Sequence, residues 1–225
     1  NLSRCTVLKK LDYRGREDKG SVGKKRLGNN DSFFTPIYRA RVMEKSILRK
    51  EMINALRSFD RKKEESKAIC ETLLSFPLYK EAESILAFSP LSTEPDISPL
   101  LNDDRVLFPF ITGEGEMEFG KGEMVRNKLG FYEPKVKEKV EYNKAIILVP
   151  LLAIDNSLYR LGRGKGFYDN YIKRNRERLF SIALAFSPSF VEKIEIDEWD
   201  ERMDVLIVNG EIEYPQGVSS SGDWI

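Results

Sequence analysis

The chain has 225 residues, with 37 Lys and Arg against 36 Asp and Glu, no His, two Cys and a formal net charge of +1. That balance supplies no global drive toward nucleic acid or an anionic membrane. The lack of histidine excludes a His-based hydrolase triad and leaves zinc only an unusual ligand set, so a metal here would be a hard cation on carboxylates, such as Mg²⁺.

This length suits one sizeable core, and a single α/β domain is the default. Cys5 and Cys70 fit no metal or redox spacing; Cys70 falls in an apolar helical pattern and reads as a core thiol, and a reduced cytoplasm is the simplest compartment. No apolar run reaches about 18 residues and no signal peptide is visible, so no membrane partner is expected.

Residues 1–42 include GREDKGSVGKKRLGNNDS, polar, glycine-bearing and without a period. They read as a disordered or weakly ordered extension whose Lys24, Lys25 and Arg26 belong to a solvated leader. Residues 44–59 carry Ile47, Leu48, Met52, Ala55, Leu56 and Phe59 as a helical stripe. Lys45 and Arg49, four apart, share a face of that helix, and as bare sequence such a pair faces solvent. Asp60 is the expected N-cap of a second helix running to about residue 75, with Ile69, Leu73 and Leu74 inward. A short turn of helix is expected over 78–83 and a first strand over 84–88.

Residues 89–97, SPLSTEPDI, follow that strand's carboxyl end, where ligands bind in open α/β sheets, so Glu94 and Asp96 have better than background odds of function. The competing reading is that Asp96 or Ser98 caps a helix begun at Pro99. A strand over 105–111 is expected to be interrupted late by Pro109. A turn over 112–115, a short strand over 117–120, a loop at 131–134 and an exposed charged stretch over 136–142 come next. Met117 and Phe119 read as core by default.

Residues 145–149, AIILV, are a continuous apolar run, the pattern of a strand buried on both faces of a parallel sheet, and Pro150 must end it. After a loop, Gly162, Gly164 and Gly166 alternate with Arg160, Leu161, Arg163 and Lys165 in the stretch RLGRGKG. Glycines let backbone N–H groups turn toward one anion while the cations neutralise it. A helix over 167–174, with Phe167, Tyr171 and Ile172 along one side, adds its positive end. Neither GxxxxGK[ST] nor GxGxxG is present, so the residues alone favour phosphate only modestly over a solvated basic turn. A strand over 180–186, a turn leading to a short helix over 187–192, an acidic stretch with Asp197, Asp200 and Asp204, and a last strand over 205–208 complete the order; a tail is expected from Gly210. The series suits one three-layer α/β domain with a mostly parallel open sheet flanked by helices.

Asp155, then Tyr159-Arg160-Leu161-Gly162, Gly164 and Gly166-Phe167-Tyr168-Asp169 resemble the signature of the 5-formyltetrahydrofolate cyclo-ligase (5,10-methenyltetrahydrofolate synthetase) family, roughly P-G-x-A-F-D and then R-L-G-x-G-x-G-Y-Y-D. Leu151 stands where that family usually has glycine and Ile154 where it usually has phenylalanine; every charged position is kept. The resemblance runs from about residue 45 to 209. It implies an ATP- and Mg²⁺-dependent cyclisation of 5-formyltetrahydrofolate to 5,10-methenyltetrahydrofolate with release of ADP and phosphate.

The resemblance also implies roles. Lys45 and Arg49 match an N-terminal Lys-x-x-x-Arg that reaches ATP and substrate, and they join Arg160 and Lys165 as the catalytic cations. ATP is expected on these four together with Leu161, Gly162, Arg163, Gly164, Gly166, Phe167 and Tyr168. Glu94 and Asp96 match the acidic positions of an E-[VI]-D-T substrate segment, with Pro95 and Ile97 as departures; Met117 and Tyr168 complete the substrate set. Phe131 to Pro134 resembles a family G-x-x-E-P loop. Asp169 and Asp200 are the implied Mg²⁺ ligands. Such chains commonly begin near Met43-Glu44-Lys45, which implies an extension over 1–42, the domain over 43–213 and a tail over 214–225. The partners implied are small molecules, reduced folate and ATP, with no nucleic acid, on a monomer or weak dimer. Two other classes stand beside this one: a sugar-phosphate isomerase or acyltransferase-like enzyme using the glycine loop for a phosphate ester, and a non-catalytic nucleotide- or RNA-binding module.

Overall fold

The computed structural model describes residues 43–215, so the expectations for 1–42 and for 216–225 lie outside them. Among the described residues four α-helices are formed: α1 (Lys45–Ser58), α2 (Lys62–Ser75), α3 (Pro77–Glu81) and α4 (Phe167–Asn175). The strands are β1 (Ile85–Leu86), β2 (Val106–Gly113), β3 (Glu116–Gly120), β4 (Met124–Arg126), β5 (Tyr132–Pro134), β6 (Ala145–Pro150), β7 (Ala153–Ile154), β8 (Arg160–Leu161), β9 (Leu179–Ala185), β10 (Val205–Val208) and β11 (Glu211–Glu213).

Seven of the strands make one sheet in the order β11-β10-β9-β6-β1-β2-β3. The inner five are parallel, while β3 and β11 close the two edges antiparallel. The apolar run at 145–149 explains the layering. Ala145, Ile147 and Val149 of β6 pack toward Tyr171 and Ile172 of α4, whereas Ile146 and Leu148 pack toward Ile69 and Leu73 of α2 and Tyr79 of α3. A strand covered on both faces needs no polar alternation, so the expected three-layer α/β architecture is what forms. Helix α1 has a cluster of its own: Leu48, Met52 and Leu56 meet Leu152, Ala153, Leu161, Phe186, Val191 and Ile194. Cys70 is a buried free thiol, as its pattern suggests, and burial pushes it up to about 11.

Several local expectations are corrected. Asp60 caps nothing: α2 starts at Lys62 behind Arg61, with no side-chain cap. Arg61 instead bonds Glu64, and Glu64 and Glu65 in the first turn complement the positive end. Pro109 does not interrupt its strand. Backbone groups of Arg105 and Leu107 face β1, so by alternation those of Pro109 do too, beyond the last bond that Ala87 makes to Leu107. The missing N–H therefore costs no bond to β3.

The helix expected from Pro99 is a single 3₁₀ turn, Ser98–Leu100, and that expected after Ser187 is another, Ser187–Ser189. Residues 131–134 are not a loop, because Tyr132, Glu133 and Pro134 pair with β4. The connection after β6 contains the small β7–β8 hairpin, and the presumed tail after Gly210 supplies edge strand β11. From β1 the chain crosses to β2 on one side, and from β6 to β9 on the other. A crevice at the carboxyl ends of β1 and β6 follows from this reversal.

Candidate functional site

The crevice is a cavity of about 250 Å³, floored by Phe88 and Ser89 after β1 and by Pro150 and Leu151 at the end of β6. Residues 160–169 form one wall, Lys45 and Arg49 of α1 a second, and Asp197, Trp199 and Asp200 a third. Met117 from β3 and Ile111 from β2 close the apolar side.

The glycine loop is shaped by what crosses it. Gly164 has φ +87°, and a Cβ there would sit 3.2 Å from the Arg49 Cζ. No other residue meets both conditions without strain. Arg49 Nε donates to the Gly162 carbonyl at 3.0 Å, so this cation, which reads as solvent-facing in bare sequence, fastens α1 to the loop. Gly166, at φ +70°, is the N-cap of α4 and carries no side-chain cap. The first N–H groups of α4 therefore open onto the cavity wall.

Arg160 is buried on β8. Its Nη2 lies 3.0 Å from Asp169 Oδ1, yet that contact lacks hydrogen-bond alignment, and neither Nε nor Nη2 has a hydrogen-bond partner among the described residues. Its guanidinium also lies 5.8 Å from the centre of the Tyr168 ring, and burial pushes the Tyr168 phenol up. Arg163 is already committed elsewhere: Nε bonds Glu94 Oε1 at 3.1 Å and Nη2 bonds Thr93 at 2.5 Å. Burial raises the Glu94 carboxyl, a shift that the Leu91 N–H and Arg163 oppose without cancelling. Lys165 stands exposed on the rim.

Across the cavity, Lys45 Nζ is bonded at 2.5 Å to both Asp197 and Asp200. Burial lowers the Lys45 ammonium, but its hydrogen bonds to these two carboxylates, with their charge, outweigh it, and the net shift is upward. Asp169 accepts the Glu201 N–H at 3.2 Å, which sets it one residue along the chain from Asp200. Among the described residues no group of three or more His, Cys, Asp or Glu is arranged for a metal. Asp169 and Asp200 are an all-oxygen pair, the donor set that suits Mg²⁺ when phosphate and water fill its remaining positions.

Of the residues singled out in the sequence, Lys45, Arg49, Glu94, Met117, Asp169, Asp200 and the whole run from Arg160 to Tyr168 line this cavity. Asp96 does not. Its Oδ1 accepts the Ser98 N–H at 2.9 Å and the Ser98 hydroxyl, an Asx turn ahead of the 3₁₀ turn rather than a cap. Sequence reasoning missed Asp197, Trp199, Leu129 and Phe131, all of which line the cavity. Trp199 and Leu129 are 51% and 49% exposed; a tryptophan between two acids was the one available signal.

Comparison with known proteins gives a consistent result. The model of the 5-formyltetrahydrofolate cyclo-ligase family matches residues 41–209. The chain is 28% identical over 169 residues to the probable 5-formyltetrahydrofolate cyclo-ligase of Schizosaccharomyces pombe, covering 64% of this chain and 83% of that one. It is 26% identical over 155 residues to the 5-formyltetrahydrofolate cyclo-ligase of Escherichia coli, covering 62% and 85%. Among solved structures it is similar to the 5,10-methenyltetrahydrofolate synthetase of Aquifex aeolicus, with TM-score 0.65, 26% identity and coverage of 79% and 96%. The Mycoplasma pneumoniae 5,10-methenyltetrahydrofolate synthetase shares the fold, with TM-score 0.58 at 24% identity over 75% of this chain and all of that one.

Proposed function

Since this chain belongs to the 5-formyltetrahydrofolate cyclo-ligase family and is a ligase, we propose that it cyclises 5-formyltetrahydrofolate to 5,10-methenyltetrahydrofolate, consuming ATP in the presence of Mg²⁺. The family sets aside the phosphate-ester isomerase and binding-module readings. The observation that carries the nucleotide half is the buried Arg160, whose Nε and Nη2 lack hydrogen-bond partners beside the opening turn of α4. Buried guanidinium N–H groups without hydrogen-bond acceptors are costly, and an anion in the cavity would satisfy them.

A formamide carbon is a poor electrophile because the nitrogen lone pair is delocalised onto it. In the proposed reaction the formyl oxygen bonds the γ-phosphorus and ADP leaves. The neighbouring amine then bonds the activated carbon. Departure of phosphate and loss of the amine proton leave one carbon shared between two nitrogens. The protein's task is positioning and charge neutralisation. Arg160, Lys165, Arg49 and the amides of residues 162–168 would bind the triphosphate, and Lys45 would meet the transferring group. Glu94, Met117 and Tyr168 would hold the folate, with Glu94 kept in place by Arg163; Asp96 would touch it only after leaving Ser98. Mg²⁺, held by Asp169 and Asp200, would supply neutralisation of the phosphate oxygens. Residues 43–213 would be the catalytic domain of a monomer or weak dimer.

The test is direct. Mixing the protein with 5-formyltetrahydrofolate, ATP and Mg²⁺ should produce the methenyl chromophore, followed by absorbance. Asp169→Ala should cut turnover by about 10²-fold or more. No chromophore from the wild type ends the proposal, and normal turnover in the variant removes Asp169 from the metal.

A further inference from the structure

Two of the cations read above as phosphate ligands, Arg160 and Lys45, are ion-paired in this structure with Asp169 and Asp200, the carboxylates read as metal ligands, and Lys45 is paired with Asp197 as well. Arg160 meets Asp169 at 3.0 Å, and Lys45 meets Asp197 and Asp200 at 2.5 Å each. The ammonium already occupies the point at which Asp197 Oδ2 and Asp200 Oδ2 converge, so a divalent cation bridging the two there would have to displace it. The turn that carries them is built without Lys45. The Asp197 N–H donates to Asp200 Oδ2 at 2.8 Å, and the Asp200 N–H donates to the Asp197 carbonyl at 3.1 Å. Two full negative charges thus face one positive charge, and a dication balances them better.

We propose that Asp197 and Asp200 form a single cation site whose resident ion in the protein alone is the Lys45 ammonium, and that a divalent metal takes the site once nucleotide phosphate draws Lys45 away. Lysine suits this exchange. Its ammonium is a compact charge on a flexible four-carbon stem, and here it hangs from the first residue of α1 at the cavity wall. The unpartnered face of Arg160 marks where an anion would collect on the same wall as Asp169. Asp197 thereby becomes a cation ligand rather than a turn residue, and metal and nucleotide bind synergistically: each relieves the charge that the other leaves unpaired. The phosphate half of this proposal rests on the function proposed above; the cation site does not.

Mn²⁺ binding measured by electron paramagnetic resonance, with neither nucleotide nor folate, tests it. Lys45→Met should bind Mn²⁺ about tenfold or more tighter than the wild type, since two carboxylates lose their counter-ion. Lys45→Arg should stay near wild type, and Lys45→Met combined with Asp197→Asn should lose the gain. Circular dichroism checks folding, and Lys45→Gln replaces the methionine variant if that one unfolds. No gain in the single variant overturns the exchange, and a gain that survives Asp197→Asn overturns the role of Asp197. Because no ATP is present, the outcome is separable from the absorbance assay: a methenyl product without a Mn²⁺ gain sinks only the exchange, and a gain without product sinks only the reaction.

Discussion

Gly164 shows how closely the loop is fitted to the Arg49 side chain that crosses it. Replacing it with alanine would force a Cβ at φ +87° against the Arg49 guanidinium, 3.2 Å away. Gly164→Ala is expected to cost about 1 kcal/mol of stability and to raise the KM for ATP by about tenfold or more through displacement of Arg49. Thermal melts and steady-state kinetics check the two effects, and an unchanged KM would mean that Arg49 does not serve the nucleotide. The glycine spacing was legible in the sequence because its demand is local. The pairing of the charges was not: Lys45 lies 152 and 155 residues from its two aspartates, and no periodicity links them. Asp96 lies outside the cavity, its Oδ1 held by Ser98 two residues away, a local contact that the strand-end argument does not weigh.

Among the elements, those marked by an apolar run or stripe were readable, and several short pairings were not. β6 and α1 announce themselves by apolar run and stripe, whereas β7, β8 and β5, of two or three residues each, have too few positions to show a period and exist through their partners. The join between α2 and the end of β9 is equally hidden. Glu65, fully buried, accepts the Ser187 N–H at 2.8 Å and its hydroxyl at 2.6 Å. Glu65→Ala should lower stability by about 2–4 kcal/mol in urea unfolding while leaving kcat largely intact, as Glu65 does not line the cavity. Edge strand β11 carries a titration. Burial first, then Glu211, pushes Glu213 from 4.5 up to about 7. Its folded value lies above its unfolded one, so the folded state holds the extra proton. Stability should therefore fall as pH rises between those two values. Glu213→Gln should remove that fall, gaining on the order of 1–2 kcal/mol at pH 8 after allowance for partial exposure, and little at pH 4.

For the whole molecule, the fold class followed from one doubly covered strand and the order of elements, and the crevice from the reversal between β1 and β6. The acidic wall at 197–200 followed from neither, because a turn without apolar pattern gives no sign of what it faces. A chain beginning at Met43 is expected to match the 225-residue chain in turnover, since the family match starts close to that residue; a large loss would make residues 1–42 part of the working enzyme. Helix α1 meanwhile joins the body through a separate greasy seam and carries two of the cavity's cations at its leading end. Fraying of this one segment would dismantle half of the proposed nucleotide grip while both sheet cores stay intact. Occupancy of the crevice and the fastening of α1 are then the same equilibrium, so nucleotide should slow amide exchange along this helix as far as Leu56, well beyond any direct contact.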